Sequence, residues 1–477
     1  MGQEVSRTHF SEADYLDYQE RLILETEHLG TAAQTGELEG GCFMVGFELE
    51  AWLLDHAGFP NPINETFLSR LDDPWVVREL SRFNVELNGP PLAMGPGVLW
   101  GMETALGETW RRCQEVAHDM DSVLAMVGIL PTLRASDLNL ENMSAMKRYV
   151  ALNQEVQRLR QGRPIHIHVE GAEPLEMLRP DVMLEAATTS FQVHLQVPYD
   201  QAGRYYNAAL MSCGPLLAAA TNSPLLFGHR LWHETRVPLF EQSVELGGFA
   251  GLADASVRRV SFGQGYVGKD IVDLFRENLA LYPVLLPMSQ TEPSARYPHL
   301  RLHNGTIWRW VRPLVGFDEV GRAHVRLEQR VLPSGPSVLD MVANAAFHIG
   351  LGHALANLPQ APEERLDFTT AKTNFYQAAR HGLDVELTWL DGRAHSARDL
   401  ILGTCLPMAR EGLSAFGVPQ AEADCYLDVL TARVRSGQTG SIWQLRNLEC
   451  EQGDMQRMMA NYLENQRTGM PVHEWNP

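Results

Sequence analysis

Along GFELEAWLLD (residues 46–55) apolar and acidic positions alternate with the period of a β-strand. Successive strand side chains point to opposite faces. Glu48 and Glu50 therefore share one face, and Phe47, Leu49 and Ala51 share the other. The same parity recurs in three further segments. In FNVELNG (83–89), Asn84, Glu86 and Asn88 lie opposite Phe83, Val85 and Leu87. In FQVHLQV (191–197), Gln192, His194 and Gln196 lie opposite Phe191, Val193, Leu195 and Val197. In VRLEQRV (325–331), Arg326, Glu328 and Arg330 lie opposite Val325, Leu327 and Val331, with Gln329 breaking the apolar set.

The intervening chain is mostly helical in pattern. A helix is expected within the first 35 residues, where Ser11 and Asp14 have the spacing of a capping box. Strands are expected near 42–54 and 82–88, then helices near 99–127 and 136–160. Alternation returns at 165–171 and 190–199, followed by a small-residue helix over 201–221. TIWRWVRP (306–313) and AHVRLEQRVL (323–332) read as two more strands, and from about 337 the pattern stays helical. There is no low-complexity linker, no internal repeat and no regular βαβ rhythm. The expected class is α+β. One domain is expected over residues 1–477, with a sheet core over about 40–345 and a mostly helical part over about 337–477. Strands with one apolar and one polar face predict a curved antiparallel sheet. Its apolar side is covered by helices and its polar side lines a cavity.

Composition narrows the partners. At 45% hydrophobic and 21% charged the chain is ordinarily globular. Lys plus Arg is 39 against 59 for Asp plus Glu, a net charge of −20, which disfavours nucleic acid and anionic membranes. The six cysteines form no CxxC pair, so neither a zinc ribbon nor a disulfide framework is suggested. The N-terminal stretch is too polar for a secretory signal. The most apolar run, residues 341–358, carries Asn344, His348 and His353 and reads as a buried helix. A soluble cytoplasmic protein is expected, with homo-oligomerisation left open.

The polar stripes carry the candidate chemistry. Solvent-facing strands ordinarily mix in Lys, Ser and Thr, whereas these stripes have no Lys and keep their charges at the strand centres. Four carboxylates and one imidazole directed into a cavity call for cations, and hard oxygen donors with a single His suit Mg²⁺ or Mn²⁺. Other motifs are weaker. GQGYVGKD (263–270) has P-loop spacing but ends in Asp270 where Ser or Thr should hold Mg²⁺. His166 and His168 share a strand face that reads as partly exposed. No GxSxG elbow occurs.

Taken together, GFELE (46–50), VELNGPP (85–91), SFQVHLQV (190–197), TNSPLLFG (221–228), GTIWRWVRP (305–313) and RLEQRVLPSGPSVLDMVANAAF (326–347) resemble the type-2 glutamate–cysteine ligase family of ATP-dependent carboxylate–amine ligases, within the glutamine-synthetase-like fold. TGSIWQLRNLE (439–449) and GMPVHEW (469–475) also fit a branch of these proteins. The resemblance implies Glu48, Glu50, Glu86, His194 and Glu328 as metal ligands. It implies Arg330 and Arg312 as catalytic arginines, and Arg330, Gln196 and Arg236 as nucleotide contacts. ATP and Mg²⁺ or Mn²⁺ are the implied cofactors. The implied reaction joins a small carboxylate, with glutamate the expected acid, to an amine through an acyl phosphate; γ-glutamylcysteine is one such product. A fifth carboxylate is expected upstream of Glu86; Glu79 has the spacing, in unremarkable surroundings. Arg230 and Arg236 are weaker candidates for phosphate or substrate-carboxylate contacts and otherwise read as surface arginines. A two-metal hydrolase without nucleotide, or a catalytically silent binding subunit, are the alternatives.

Overall fold

The structure, a computed structural model, describes residues 5–38, 41–246, 258–268 and 270–476. In chain order the strands are β1 (Met44–Leu54), β2 (Val76–Arg78), β3 (Asn84–Asn88), β4 (Leu92–Ala93), β5 (Val123–Ala125), the hairpin β6 (Ile165–Val169) and β7 (Leu175–Arg179), and β8 (Phe191–Val197). Two short pairings follow, β9 (Leu225–Leu226) with β10 (His229–Arg230), and β11 (Val260–Ser261) with β12 (Trp308–Arg309). Then come β13 (Val311–Phe317), β14 (Ala323–Gln329) and the hairpin β15 (Glu386–Thr388) and β16 (Ala394–Ser396). The main sheet is antiparallel, in the order β13-β14-β8-β1-β3-β2, with β4 and β5 also paired to β1.

Register turns sequence parity into a surface. Glu328 pairs with His194 across β14 and β8, Arg312 pairs with Glu328 across β13 and β14, and Glu50 pairs with Glu86 across β1 and β3. Because a one-residue slip would flip every side chain to the other face, burial of the apolar side pins these rows in place. That side carries Val45, Phe47 and Leu49 of β1, Val85 and Leu87 of β3, Val193 and Leu195 of β8, and Val325 and Leu327 of β14. Gly89, just after β3, is needed sterically: a Cβ there would overlap the Phe47 ring.

Helices cover this apolar face. Val98–Asp119 contributes Leu99, Met102 and Leu106 to the same core, and Ala202–Ala220 is almost wholly buried against it. Helix Val338–Ala356 is long and apolar enough to cross a membrane by composition, yet 78% of its apolar window is buried within the fold. It packs on helices Ala202–Ala220, Leu406–Ala415 and Gln420–Ser436. A buried ion pair fastens them. Arg433 donates to Asp340 at 2.7 Å, to Asn344 Oδ1 at 2.6 Å and to the Ala219 carbonyl at 3.1 Å. Asp340 also accepts from the Val472 amide, which draws the C-terminal residues onto the same core.

Several expectations shift. The helix expected over 99–127 ends at Asp119, and residues 123–125 instead extend the sheet as β5. TIWRWVRP is broken: Trp308–Arg309 pairs in parallel with β11, and the main-sheet strand starts at Val311. Residues 263–268 form no strand or helix, and Lys269 of the P-loop-like motif lies outside the described residues. Gln329, the apparent break in β14, is 1% exposed and faces the helix side, where its amide lies 3.6 Å from Cys213 Sγ and 3.4 Å from the Ala209 carbonyl.

The two-faced sheet makes a direct prediction. Leu327, 4% exposed, lies on the helix-covered face next to Glu328, which lies on the other. Leu327→Ala is expected to lower unfolding free energy by about 2–5 kcal/mol, measured by chemical denaturation. A change within about 0.5 kcal/mol would mean the faces are reversed.

Candidate active site

Above the polar face lies a cavity of about 450 Å³ whose lining includes Glu48, Glu50, Glu79, Glu86, Arg312 and Arg330. Two ligand clusters form its floor. Glu48, His194 and Glu328 bring one donor atom each within 4.8 Å of one another, and Glu50, Glu79 and Glu86 do the same. Strands β1, β3, β8 and β14 supply every member but Glu79, which follows β2, so these members inherit the rigidity of the ladder. Gly46 pairs with His194 in the register, and a Cβ there would meet nothing within 4 Å, which keeps the floor open beside the imidazole.

The first cluster already has cationic neighbours. Glu328, 2% exposed, accepts from Arg312 Nη2 at 2.9 Å and from Arg330 Nη1 at 2.7 Å. Burial alone would raise its pKa, but Arg312, Arg330 and His194 hold it far below the ordinary carboxylate range. His194 Nε2 lies 3.5 Å from Glu48 Oε1 and 3.9 Å from Glu328 Oε2, beyond good hydrogen-bond reach, and is buried with no partner. A buried ring nitrogen aimed between two carboxylates at those distances fits a metal ligand better than an ion pair.

The second cluster is short of positive charge. Glu50 accepts from the Ser190 amide at 2.7 Å and from Gln192 Nε2 at 3.1 Å, and Glu86 accepts from Asn88 Nδ2 at 2.9 Å. Burial, with the Glu86 charge adding to it and Arg330 opposing, pushes Glu50 up to about 7. Burial and the charges of Glu48 and Glu79 push Glu86 up to about 8. Glu79 is likewise raised by burial and by Glu50. Three carboxylates that resist joint ionisation form a donor set that a divalent cation would fit. The all-oxygen donors of this cluster, and the two carboxylates with one imidazole of the other, fit Mg²⁺ or Mn²⁺.

Arginines flank the clusters on the β13–β14 side. Arg312, Arg326 and Arg330 line the cavity, and the Nε–H of each is buried without a partner. Arg330 is steered from behind: its Nη1 also donates to Gln192 Oε1 at 2.6 Å. Gln196 lies farther along β8, in register with Arg326 and Met44. Arg236 departs from the surface reading. It is 2% exposed, bonds Glu234 at 3.0 Å and the carbonyls of Arg330 and Val331, and so props the end of β14 from outside the cavity lining. Arg230 does reach the surface, 3.2 Å from Glu449. His166 is exposed and pairs with Glu176. Glu79 was legible only as a spacing: it follows the three-residue β2 and belongs to no alternating stripe. Also unsignalled in the sequence were Arg148 and Glu185, which enter the cavity from outside the sheet.

Residues 44–461 match the glutamate-cysteine ligase family 2. No curated protein matches the chain in sequence. Among solved structures, glutamate–cysteine ligase from Francisella tularensis in complex with AMP superposes with a TM-score of 0.54 at 11% identity, covering 91% of this chain and 89% of that one. A bifunctional glutathione synthetase from Pasteurella multocida gives a TM-score of 0.51 at 12% identity, covering 93% of this chain and 54% of that one. At such identities the likeness is one of fold, a curled antiparallel sheet packed by helices. The match across most of the sequence goes further: this chain belongs to glutamate–cysteine ligase family 2, a family of ligases.

Proposed function

We propose that the protein is an ATP-dependent carboxylate–amine ligase, with glutamate as the expected acid and an acyl phosphate as the intermediate. The observation that carries the reading is the pair of three-donor clusters set side by side on one sheet face, with arginines whose buried Nε–H groups lack partners next to them. Such a floor suits a reaction between two anions, a nucleotide triphosphate and a carboxylate. The Francisella ligase of similar fold was solved with AMP, which supports a nucleotide here.

Divalent cations held by Glu48, His194 and Glu328 and by Glu50, Glu79 and Glu86 would neutralise phosphate and carboxylate charge and orient the two for in-line transfer. The remaining roles belong to the chain. Glu328 and Gln192 fix the Arg330 guanidinium through one nitrogen, leaving its other edge to face the transferring phosphoryl group. Arg312, held against Glu328, would stabilise the same charge. The γ-phosphate passes to the acid's carboxylate; the amine then attacks the carbonyl carbon and expels phosphate, leaving an amide, ADP and phosphate. Gln196, one step along β8, is proposed to contact the nucleotide, whereas Arg236 acts by supporting the Arg330 backbone.

Release of ADP from ATP, screened over paired acids and amines, tests the reading. Turnover that needs both an acid and an amine is expected. Metal-dependent hydrolysis indifferent to ATP would replace the ligase with a two-metal hydrolase, and inertness toward every pair would leave a binding protein.

Arg330→Lys separates chemistry from folding. A point charge keeps the contact with Glu328 but loses the planar fork. ADP release is expected to fall roughly 10²–10³-fold with little change in melting temperature. Unfolding of Arg330→Lys would contradict the role.

The raised carboxyls set a pH dependence. Glu50 near 7 and Glu86 near 8 are largely protonated at pH 6, and a cation must displace those protons. Mn²⁺ affinity, followed by calorimetry without nucleotide, is therefore expected to strengthen steadily from pH 6 to pH 9. A flat profile would contradict the second cluster as a cation site.

A further inference from the structure

One carboxylate in the cavity belongs to neither cluster. Glu185 lies in the 3-10 turn Val182–Ala187, which joins the β6–β7 hairpin to β8. The turn is tightly placed. Asp181 caps it by accepting from the Met183 amide, Asn153 Oδ1 accepts from the Val182 amide at 3.2 Å, and Val182, Met183 and Leu184 are fully buried. Glu185 thus lines the same cavity as Glu50, Glu79, Leu80 and Arg148. Among the described residues no group donates a hydrogen bond to its carboxylate, while its main-chain carbonyl accepts from the Thr188 amide and hydroxyl.

Arg330 and Arg148 act on this half-buried carboxylate, but among the described residues neither bonds it, which leaves room for a cationic ligand as its direct partner. A further divalent ion is the weaker choice, because Glu185 does not join either group of three donors. An organic ammonium is the better one: it needs a single strong acceptor and presents three N–H donors. The neighbouring wall suits the rest of such a ligand. Leu80, Leu152 and Val182 offer apolar contact for methylene groups, and Arg148, bonded to the Tyr149 hydroxyl, brings a positive charge to the same corner.

We propose that Glu185 binds a protonated ammonium group of a substrate and so decides which substrates the cavity accepts. Calling the ligand a substrate rests on the ligase reading; the contact itself does not. The ammonium can belong to the acid or to an acceptor carrying a second amine, and two matched pairs of ligands distinguish these sources. Glutamate and glutarate differ by the α-ammonium of the acid. 1,3-Diaminopropane and propylamine differ by a second ammonium on the acceptor.

Each of the four is titrated calorimetrically into wild-type protein and into Glu185→Gln, with Mg²⁺ and a non-hydrolysable ATP analogue present. Wild type is expected to favour the ammonium-rich member of one pair by roughly 10–100-fold, the scale of a charge-assisted hydrogen bond. Glu185→Gln is expected to abolish that preference while melting temperature and Mn²⁺ affinity stay at wild-type values, and Glu185→Asp to restore part of it. A wild-type protein with no preference in either pair, a preference that survives Glu185→Gln, or loss of Mn²⁺ binding in that variant would each overturn the proposal. Binding is read without turnover. An absence of ADP release with every acid and amine would therefore defeat the ligase reading while leaving the Glu185 contact to be decided by these titrations.

Discussion

Like charge crowded onto one buried strand face is the constraint around which this protein is organised. Glu48, Glu50, Glu79, Glu86 and Glu328 meet at one cavity floor, and removing an ion from water costs several kcal/mol even after relaxation. Glu328 is matched directly, by Arg312 and Arg330. The second cluster answers with raised pKa values, as carboxyls lacking counter-charge must. A fold that holds such a floor in place needs stiffness elsewhere. The apolar back of the sheet provides it, packed under helices whose own contacts include the buried Arg433–Asp340 pair.

The division of labour between faces explains why so much of the floor was legible in the sequence. A period of two assigns Glu48 and Glu50, Glu86, His194, and Glu328 with Arg330 to one side of their strands, and antiparallel pairing then sets them side by side. Residues outside that period were not legible. Glu79 comes after the three-residue β2, too short to show alternation. Arg148 and Glu185 arrive from a helix and a 3-10 turn, and only tertiary packing brings them to the cavity. Arg236 was misread for a related reason. An isolated arginine near charged neighbours in sequence resembles a surface residue, whereas burial beside Glu234 and two carbonyls makes it a prop behind the cavity lining. Strand boundaries failed where side-chain pattern and backbone pairing part company, as at TIWRWVRP.

The cavity has a gradient across the sheet. Arg312, Arg326 and Arg330 gather at the β13–β14 end around Glu328, and Glu50, Glu79 and Glu86 toward the β3–β2 end, where Arg148 is a cationic exception. Such a gradient would orient a nucleotide with its phosphates toward Arg312 and Arg330, and direct a cationic group toward Glu185 at the opposite end. The two clusters would then sit between the reacting anions, where their charge counts most.

The central claim, that this floor binds two cations facing a nucleotide, is tested most directly by anomalous diffraction from crystals grown with Mn²⁺ and a non-hydrolysable ATP analogue. Two anomalous peaks are predicted, one among Glu48, His194 and Glu328 and one among Glu50, Glu79 and Glu86, with phosphate oxygens of the analogue in contact with Arg330. Nucleotide bound away from these residues, or no Mn²⁺ at either cluster, would contradict the account.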